Sequence, residues 1–394
     1  VKQHWGWVLG LLAATAGAEE FEPARLDLAE GVRFQPTMGL EYGYDDNLTH
    51  NGEDKVDSQY LRLVPELKFV WGKRISHLKL DYLLDYASYF DSSDDNYLDH
   101  DVDLIGHHEF TARHRIDGTY EYLKGHQARG TGIAEFEDTD KPVKYTSHDL
   151  YGAYEFGAET ARMQLGANLG YYQLGYDNFR ERSQYRDYDD FRFGATLKWR
   201  LGARTKLLLD LSESDISYDK VEPGELSRDS NVSRGLVGLI WEATAKSEGR
   251  AAFGIEDKRF DDSGREDFTG FAWDVAFTWR PLTYSTLELV SARETKDPFT
   301  NGDYVEESRY DLGWEHYWSE RWATHVELRY ADKDYTGDDR ADEVTRIRLG
   351  VIYEFRRWMK LEPFFSYRDN SSTRDDPELN YDKNQYGLQI TLAL

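Results

Sequence analysis

The sequence predicts an all-β fold, a transmembrane antiparallel β-barrel of about 18 strands of the bacterial outer-membrane type. Three observations carry this expectation. The chain of 394 residues holds 28 Tyr, 19 Phe and 11 Trp while 31% of it is charged, and its mean hydropathy is −0.75. Abundant aromatics with a polar average arise when every second residue of each strand faces water. Apolar and polar residues then alternate over runs of about ten residues, the period of a half-buried strand. Finally, the connections between runs are by turns short and basic or long and acidic, as the short periplasmic turns and long extracellular loops of such barrels are.

Composition also closes off other classes. With 74 acidic against 48 basic side chains the formal net charge is −26, which argues against a nucleic-acid partner, because phosphates are held by clustered Lys and Arg. No apolar run approaches the roughly 20 residues of a spanning helix. Disordered chains are poor in aromatics, and this one is rich in them. It has no cysteine, so no disulfide framework supports it.

Taken in order, the chain opens with a pattern that reads as a secretory signal: Lys2, an apolar stretch from Trp5 to Ala14, then Ala16-Gly17-Ala18 before Glu19 and Glu20. The expected organisation is a signal peptide over 1–18, a short periplasmic segment over 19–31 and one barrel domain over 32–394. Eighteen candidate strands begin near residues 33, 59, 76, 98, 115, 145, 162, 185, 205, 228, 246, 268, 284, 304, 322, 342, 359 and 380. The alternation is clearest in Leu78, Leu80, Tyr82, Leu84 and Tyr86, with Lys79, Asp81 and Asp85 between them. It is weakest near 98, where Asp99, Asp101 and Asp103 leave little apolar face, and near 228, where Val237, Leu239 and Trp241 blur the phase.

Short turns contain Gly72-Lys73-Arg74, Gly202-Ala203-Arg204, Ser319-Glu320-Arg321 and Arg356-Arg357. Long loops contain Asp45 to Ser58, Asp91 to Asp95, Asp261 to Asp267, Gly337 to Glu343 and Thr373 to Asp382. Several strands end in an aromatic followed by Asp: Tyr44-Asp45, Phe90-Asp91, Tyr176-Asp177, Tyr218-Asp219 and Phe260-Asp261. A β-propeller repeat also fits their spacing, but rings at the headgroup level account for them directly. At the end of the chain, Tyr386, Leu388, Ile390, Leu392 and Leu394 share one face. Gln385-x-Gly387-x-x-Ile390-x-Leu392 resembles the terminal-strand signal read by outer-membrane assembly machinery, with Leu394 where an aromatic is commoner.

Catalytic, cofactor and metal motifs are missing from the sequence, so no enzyme activity, cofactor or metal is expected. There is no phosphate-binding Gly loop, H-E-x-x-H or G-x-S-x-G elbow. Ser76-His77 and Ser147-His148 are adjacent pairs whose side chains point to opposite faces of a strand. The lumen carries the candidate site instead. Glu327 and Arg329, Arg346 and Arg348, and Lys360 and Glu362 lie on the polar faces of three successive strands, where they are expected to form a mixed-charge ladder whose simplest role is mutual pairing. Asp274 joins that face, and Tyr172, Tyr317 and Phe364 point inward, where packing or stacking on sugar faces is open to them. The acidic loops are expected to meet lipopolysaccharide phosphates through weakly held divalent ions.

Gly39-Leu40-Glu41-Tyr42-Gly43-Tyr44-Asp45-Asp46-Asn47-Leu48, with Phe365-Ser366-Tyr367-Arg368-Asp369-Asn370-Ser371-Ser372 and Asn380-Tyr381-Asp382-Lys383-Asn384, resembles the first strand and last hairpin of the putative beta-barrel porin 2 family. The resemblance implies a bacterial outer-membrane barrel linked to capsule or exopolysaccharide gene clusters, hence a conduit for a polysaccharide chain. Outer-membrane lipids and a periplasmic polysaccharide-export or copolymerase protein are the partners it implies. The alternative is a passive or substrate-selective porin for small acids or oligosaccharides. An inward-folded loop narrowing the lumen discriminates the two. A third reading, a hydrolase, requires a Ser/His/acid cluster at the rim.

Overall fold

The alternating runs fold as strands whose starts fall within three residues of their expected positions. The computed structural model describes residues 26–73, 75–135, 139–244 and 246–393. The signal peptide expected over 1–18, the beginning of the 19–31 segment, Arg74 and Leu394 lie outside the described residues. The strands are β1 (Leu26–Ala29), β2 (Val32–Asp45), β3 (Ser58–Lys73), β4 (Ser76–Tyr89), β5 (Tyr97–Thr111), β6 (His114–Gln127), β7 (Val143–Phe156), β8 (Met163–Tyr176) and β9 (Tyr188–Arg200). They continue as β10 (Thr205–Tyr218), β11 (Ser230–Thr244), β12 (Ser247–Phe260), β13 (Phe268–Leu282), β14 (Ser285–Lys296) and β15 (Tyr304–Ser319). The last four are β16 (Trp322–Thr336), β17 (Arg340–Arg356), β18 (Met359–Ser372) and β19 (Tyr381–Ala393).

Each of β2 to β19 pairs antiparallel with its neighbours in sequence. The ring closes where β19 meets β2, from Gln385 opposite Asp45 to Ala393 opposite Thr37. Closure leaves these eighteen strands no open edge, a requirement in lipid. The short β1 lies outside the ring and folds back on β2, with Leu26 opposite Phe34.

The two faces separate as the alternation requires. On β13, Phe271 and Trp279 are exposed on the outside, while Ala272, Asp274, Ala276 and Thr278 are buried on the inside. Outward tryptophans Trp71, Trp199, Trp279, Trp318, Trp322 and Trp358 gather at the short-turn end, and outward tyrosines Tyr42, Tyr171, Tyr330 and Tyr386 lie toward the long-loop end. These are the amphipathic rings favoured at membrane interfaces.

The aromatic-Asp pairs divide, which corrects the headgroup expectation for three of them. Phe90 is outward and 57% exposed, but Tyr176 and Phe260 are only 4% and 8% exposed, and the Tyr218 hydroxyl donates to Asp297 at 2.7 Å. Tyr176, Tyr218 and Phe260 close their strands on inward positions, so folded loops rather than lipid cover their rings. The blurred phase of β11 also has a cause. Its outward Val237 and Leu239 are matched by inward Leu236, which packs with Leu208, Ala252 and Ala272 in an apolar patch of the inner wall.

Candidate functional site

The β6–β7 connection folds inward at the mouth. Gln127 accepts the Ile133 amide, turning the chain through a single 3-10 turn at Gly132–Ala134. Two glycines permit the turn. Gly130 and Gly132 have φ of +68° and +63°, and a Cβ on Gly130 would stand 2.1 Å from the Thr49 carbonyl oxygen. Ala134 then buries against inward Tyr145, Tyr172 and Tyr176 of the near wall. The next residue, Glu135, accepts two bonds from Arg340 at 2.7 and 2.9 Å. From β7 through β2 and across the seam to β17 is eight steps around a ring of eighteen, almost the nine of a diameter. Consecutive residues thus touch opposite walls, and the segment stands as a strap in the middle of the mouth.

The strap is anchored at both ends. Arg340 is fully buried, is held by Asp342 at 2.9 and 3.0 Å and lies over the Tyr335 ring. On the near side the Arg129 Nε donates to Asp95 at 2.7 Å, and His50 Nδ1 lies 3.1 Å from the Arg129 carbonyl. A carbonyl only accepts, so Nδ1 carries the proton and Nε2 is free to accept from Lys383 at 3.5 Å. Burial, and then the charges of Lys383 and Arg368, push the His50 pKa well below the ordinary value.

Below the strap the two sides of the bore differ in sign. On one side Asp81, Asp103, Glu121 and Asp149 stand directly opposite one another on β4, β5, β6 and β7. Among the described residues, Asp101, Asp103 and Glu121 are the group of His, Cys, Asp or Glu whose ligand atoms converge within 4.8 Å. Across the bore, Arg329, Arg346, Arg368 and Lys383 stand opposite one another on β16, β17, β18 and β19. Their carboxylate partners are few: Asp311 pairs with Arg329 and, at 3.0 Å, with Arg309, and Asp45 holds Lys383 at 2.8 Å.

The predicted lumen residues all occupy inward positions, but the pairs differ from a simple ladder. Glu327 and Glu362 share His325, at 3.3 and 3.8 Å, while Arg329 turns to Asp311. Arg346 faces two arginines rather than an acid. Arg348 donates to Gln389 at 3.3 Å and covers the Phe364 ring at 4.1 Å. Lys360 stands opposite Glu354, which Tyr317 approaches, and Asp274 pairs with Arg250 at 3.1 Å. Tyr172 and Phe364 are 7% and 5% exposed, so neither offers an open face to a sugar. Sequence reasoning missed His325, Arg368 and the strap. Arg368 had the right parity on β18, whereas the strap depends on a contact 205 residues apart.

Ser76 Oγ approaches His108 Nδ1 at 2.9 Å on the outer surface at the short-turn end. Among the described residues no carboxylate bonds His108, so the acid that a hydrolytic triad needs is missing.

A closed eighteen-strand barrel with an apolar outer belt, a charged bore and a strapped mouth defines a porin-type protein of the bacterial outer membrane. The family match agrees. The chain belongs to the putative beta-barrel porin 2 family, whose model matches residues 33–394. No curated protein matches it. Among solved structures it is similar to Pseudomonas aeruginosa OccK2 (OpdF) in complex with glucuronate, at 12% identity over 92% of this chain and 98% of that one, with a TM-score of 0.48. It is also similar to Pseudomonas aeruginosa OpdK with vanillate (12%, 92% and 98%, TM-score 0.47) and to Acinetobacter baumannii OccAB4 (11%, 94% and 98%, TM-score 0.47).

Proposed function

We propose that the protein is a passive, selective porin for small hydrophilic acids, its aperture set by the strap. The carrying observation is that Ala134 and Glu135 engage opposite walls of the mouth, so the strap crosses the opening. A polymer needs one continuous, weakly binding path, whereas small solutes pass beside a strap. An 18-strand barrel is otherwise wide enough for an aqueous channel. Planar-bilayer recording and liposome swelling test this reading. Salt and small organic acids should pass, long oligosaccharides should not, and replacing residues 130–138 by a short Gly/Ser linker should admit larger solutes. A barrel that carries no current and no small acid overturns it.

The export reading keeps the support of the family motifs at Gly39–Leu48 and Phe365–Asn384. It requires that deleting the gene abolish surface polysaccharide while the synthesis enzymes remain. A periplasmic export partner belongs to that reading alone, whereas ion-bridged contact of the acidic loops with lipopolysaccharide is compatible with both.

A further inference from the structure

Among the described residues on the basic side of the bore, most charged side chains have a partner of opposite sign, and one pair does not. Near the short-turn end of the basic side, Glu327, Glu362 and His325 balance one another and sit beside Arg348. Toward the mouth, Arg340 is shared by Glu135 and Asp342. Between these layers lies the row Arg329, Arg346, Arg368 and Lys383. Arg329 has Asp311 and Lys383 has Asp45. Arg346 and Arg368, direct partners in the β17–β18 register, have no carboxylate within ion-pair distance among the described residues.

Two like charges facing each other across a strand pair destabilise it, so this arrangement persists at a cost. Register partners stand roughly 4.5–5.5 Å apart at their Cα atoms, close enough for both guanidinium groups to reach one small anion. Arg346 is exposed to the water of the bore. Arg368 is half-buried, lies 5.4 Å over the Tyr381 ring, and its Nε is buried without a hydrogen-bond partner. The ring limits how the guanidinium can turn. Planar guanidinium forks match the oxygens of a carboxylate or phosphate.

We propose that Arg346 and Arg368 form an oxyanion-binding site in the bore, occupied in turn by passing solutes that carry a carboxylate or phosphate. The site rests on the porin reading and deepens it, since it supplies the selectivity for acids. Arg346 lies six residues along β17 from Arg340, while Arg368 reaches the Tyr381 ring, which in turn meets His50 at the anchor of the strap edge-on, so a solute that has passed the strap meets the pair next. Arg329 and Lys383 flank the pair, each held by its own carboxylate contact with Asp311 or Asp45.

The test uses the full purified barrel, with succinate, inorganic phosphate and the neutral sugar sucrose as probes. Calorimetry measures binding, and planar-bilayer recording measures current block and the reversal potential in a salt gradient. Wild-type protein should bind succinate or phosphate but not sucrose, and the ratio of the two affinities separates carboxylate from phosphate preference. The double variant Arg346→Gln/Arg368→Gln should weaken binding at least tenfold and shift the reversal potential toward cation selectivity. Arg346→Lys should restore the reversal potential but not the affinity, because an ammonium keeps the charge and loses the fork. Arg204→Gln, at a short turn, should change neither. Heat-modifiable gel mobility identifies folded barrels, so a misfolded double variant is replaced by the single Arg368→Gln. Unchanged affinity in a folded variant overturns the site. A wild-type barrel that conducts salt yet binds neither anion overturns the site and leaves the porin reading standing. Anion binding lost with the arginines in a barrel that passes no current keeps the site and removes the porin reading.

Discussion

Glu135 places both carboxylate oxygens on a buried arginine, so the strap stands or falls with that contact. Glu135→Ala should cost the strap about 1.5–3 kcal/mol, the range of a charge-assisted hydrogen bond, and raise single-channel conductance while the barrel itself unfolds as before. His50 adds a dependence on pH. Its pKa lies well below 6.5, so its share of the latch is complete above about pH 6.5 and declines as the pH falls from there toward the lowered value. Protonation would set a third cation beside Lys383 and Arg368. Protease nicking of residues 128–142 should therefore accelerate at pH 5 over pH 7.5, and His50→Asn, which keeps a donor for the Arg129 carbonyl, should flatten the difference. The outer face obeys a different solvent. Val275→Arg should cost about 2–4 kcal/mol near the bilayer midplane in unfolding from lipid vesicles, whereas Asp81→Arg, facing the bore between Lys68 and Asp103, should be tolerated. The parity that separates Val275 from Asp81 was legible in the sequence. The pairing of Glu327 with His325 was not, because parity assigns a face and leaves open which neighbour each side chain chooses.

Strands were the most legible elements, since a period of two states the face of every residue. β5 forms despite Asp99, Asp101 and Asp103, because all three fall on its inward side and leave Leu98, Val102 and Leu104 for lipid. β11 was obscure for the opposite reason, with apolar residues on both faces. The ends of strands were less legible, as Tyr176 and Phe260 show, because loops folded over the bore decide whether an end ring meets lipid or protein. Proline marks a further local effect. Between β3 and β4 the register runs to Leu63 opposite Tyr86 and resumes at Glu66 opposite Leu83, which leaves Pro65 in the gap. Its missing N–H faces β4, because its pairing with Met38 of β2 is intact. Pro363 interrupts the β17–β18 register in the same way while keeping Leu388 opposite it. The amide of Leu84, which faces Pro65 across the gap, should exchange hydrogen faster than those of Tyr82 and Tyr86, which have the same parity on β4. Pro65→Val should slow exchange around the gap about fivefold, the value of one hydrogen bond of about 1 kcal/mol. Equal rates in both proteins would refute this.

The molecule as a whole has a short-turn end and a long-loop end, and only a membrane gives them direction. The chain has no cysteine, so single cysteines report sidedness cleanly. On intact cells a membrane-impermeant maleimide should label Asp262→Cys and Asp339→Cys and spare Arg204→Cys and Arg357→Cys; the reverse pattern inverts the topology. Charge class, strand number and closure were all readable from composition, period and loop asymmetry, but the mouth was not, since local sequence carries no record of which distant wall a loop will reach. That reach bears on biogenesis. The shorter path from β7 to β17 runs through β2 and β19, the strands that form the seam, and the first long loop also crosses there, where Asn384 donates to Asp46 and Lys55 pairs with Asp382 at 2.9 Å. The strap therefore acts like a buckle over a zip. With the zip open, Glu135 would lose the wall that holds Arg340 at the right span, so the buckle should fasten only on a closed ring.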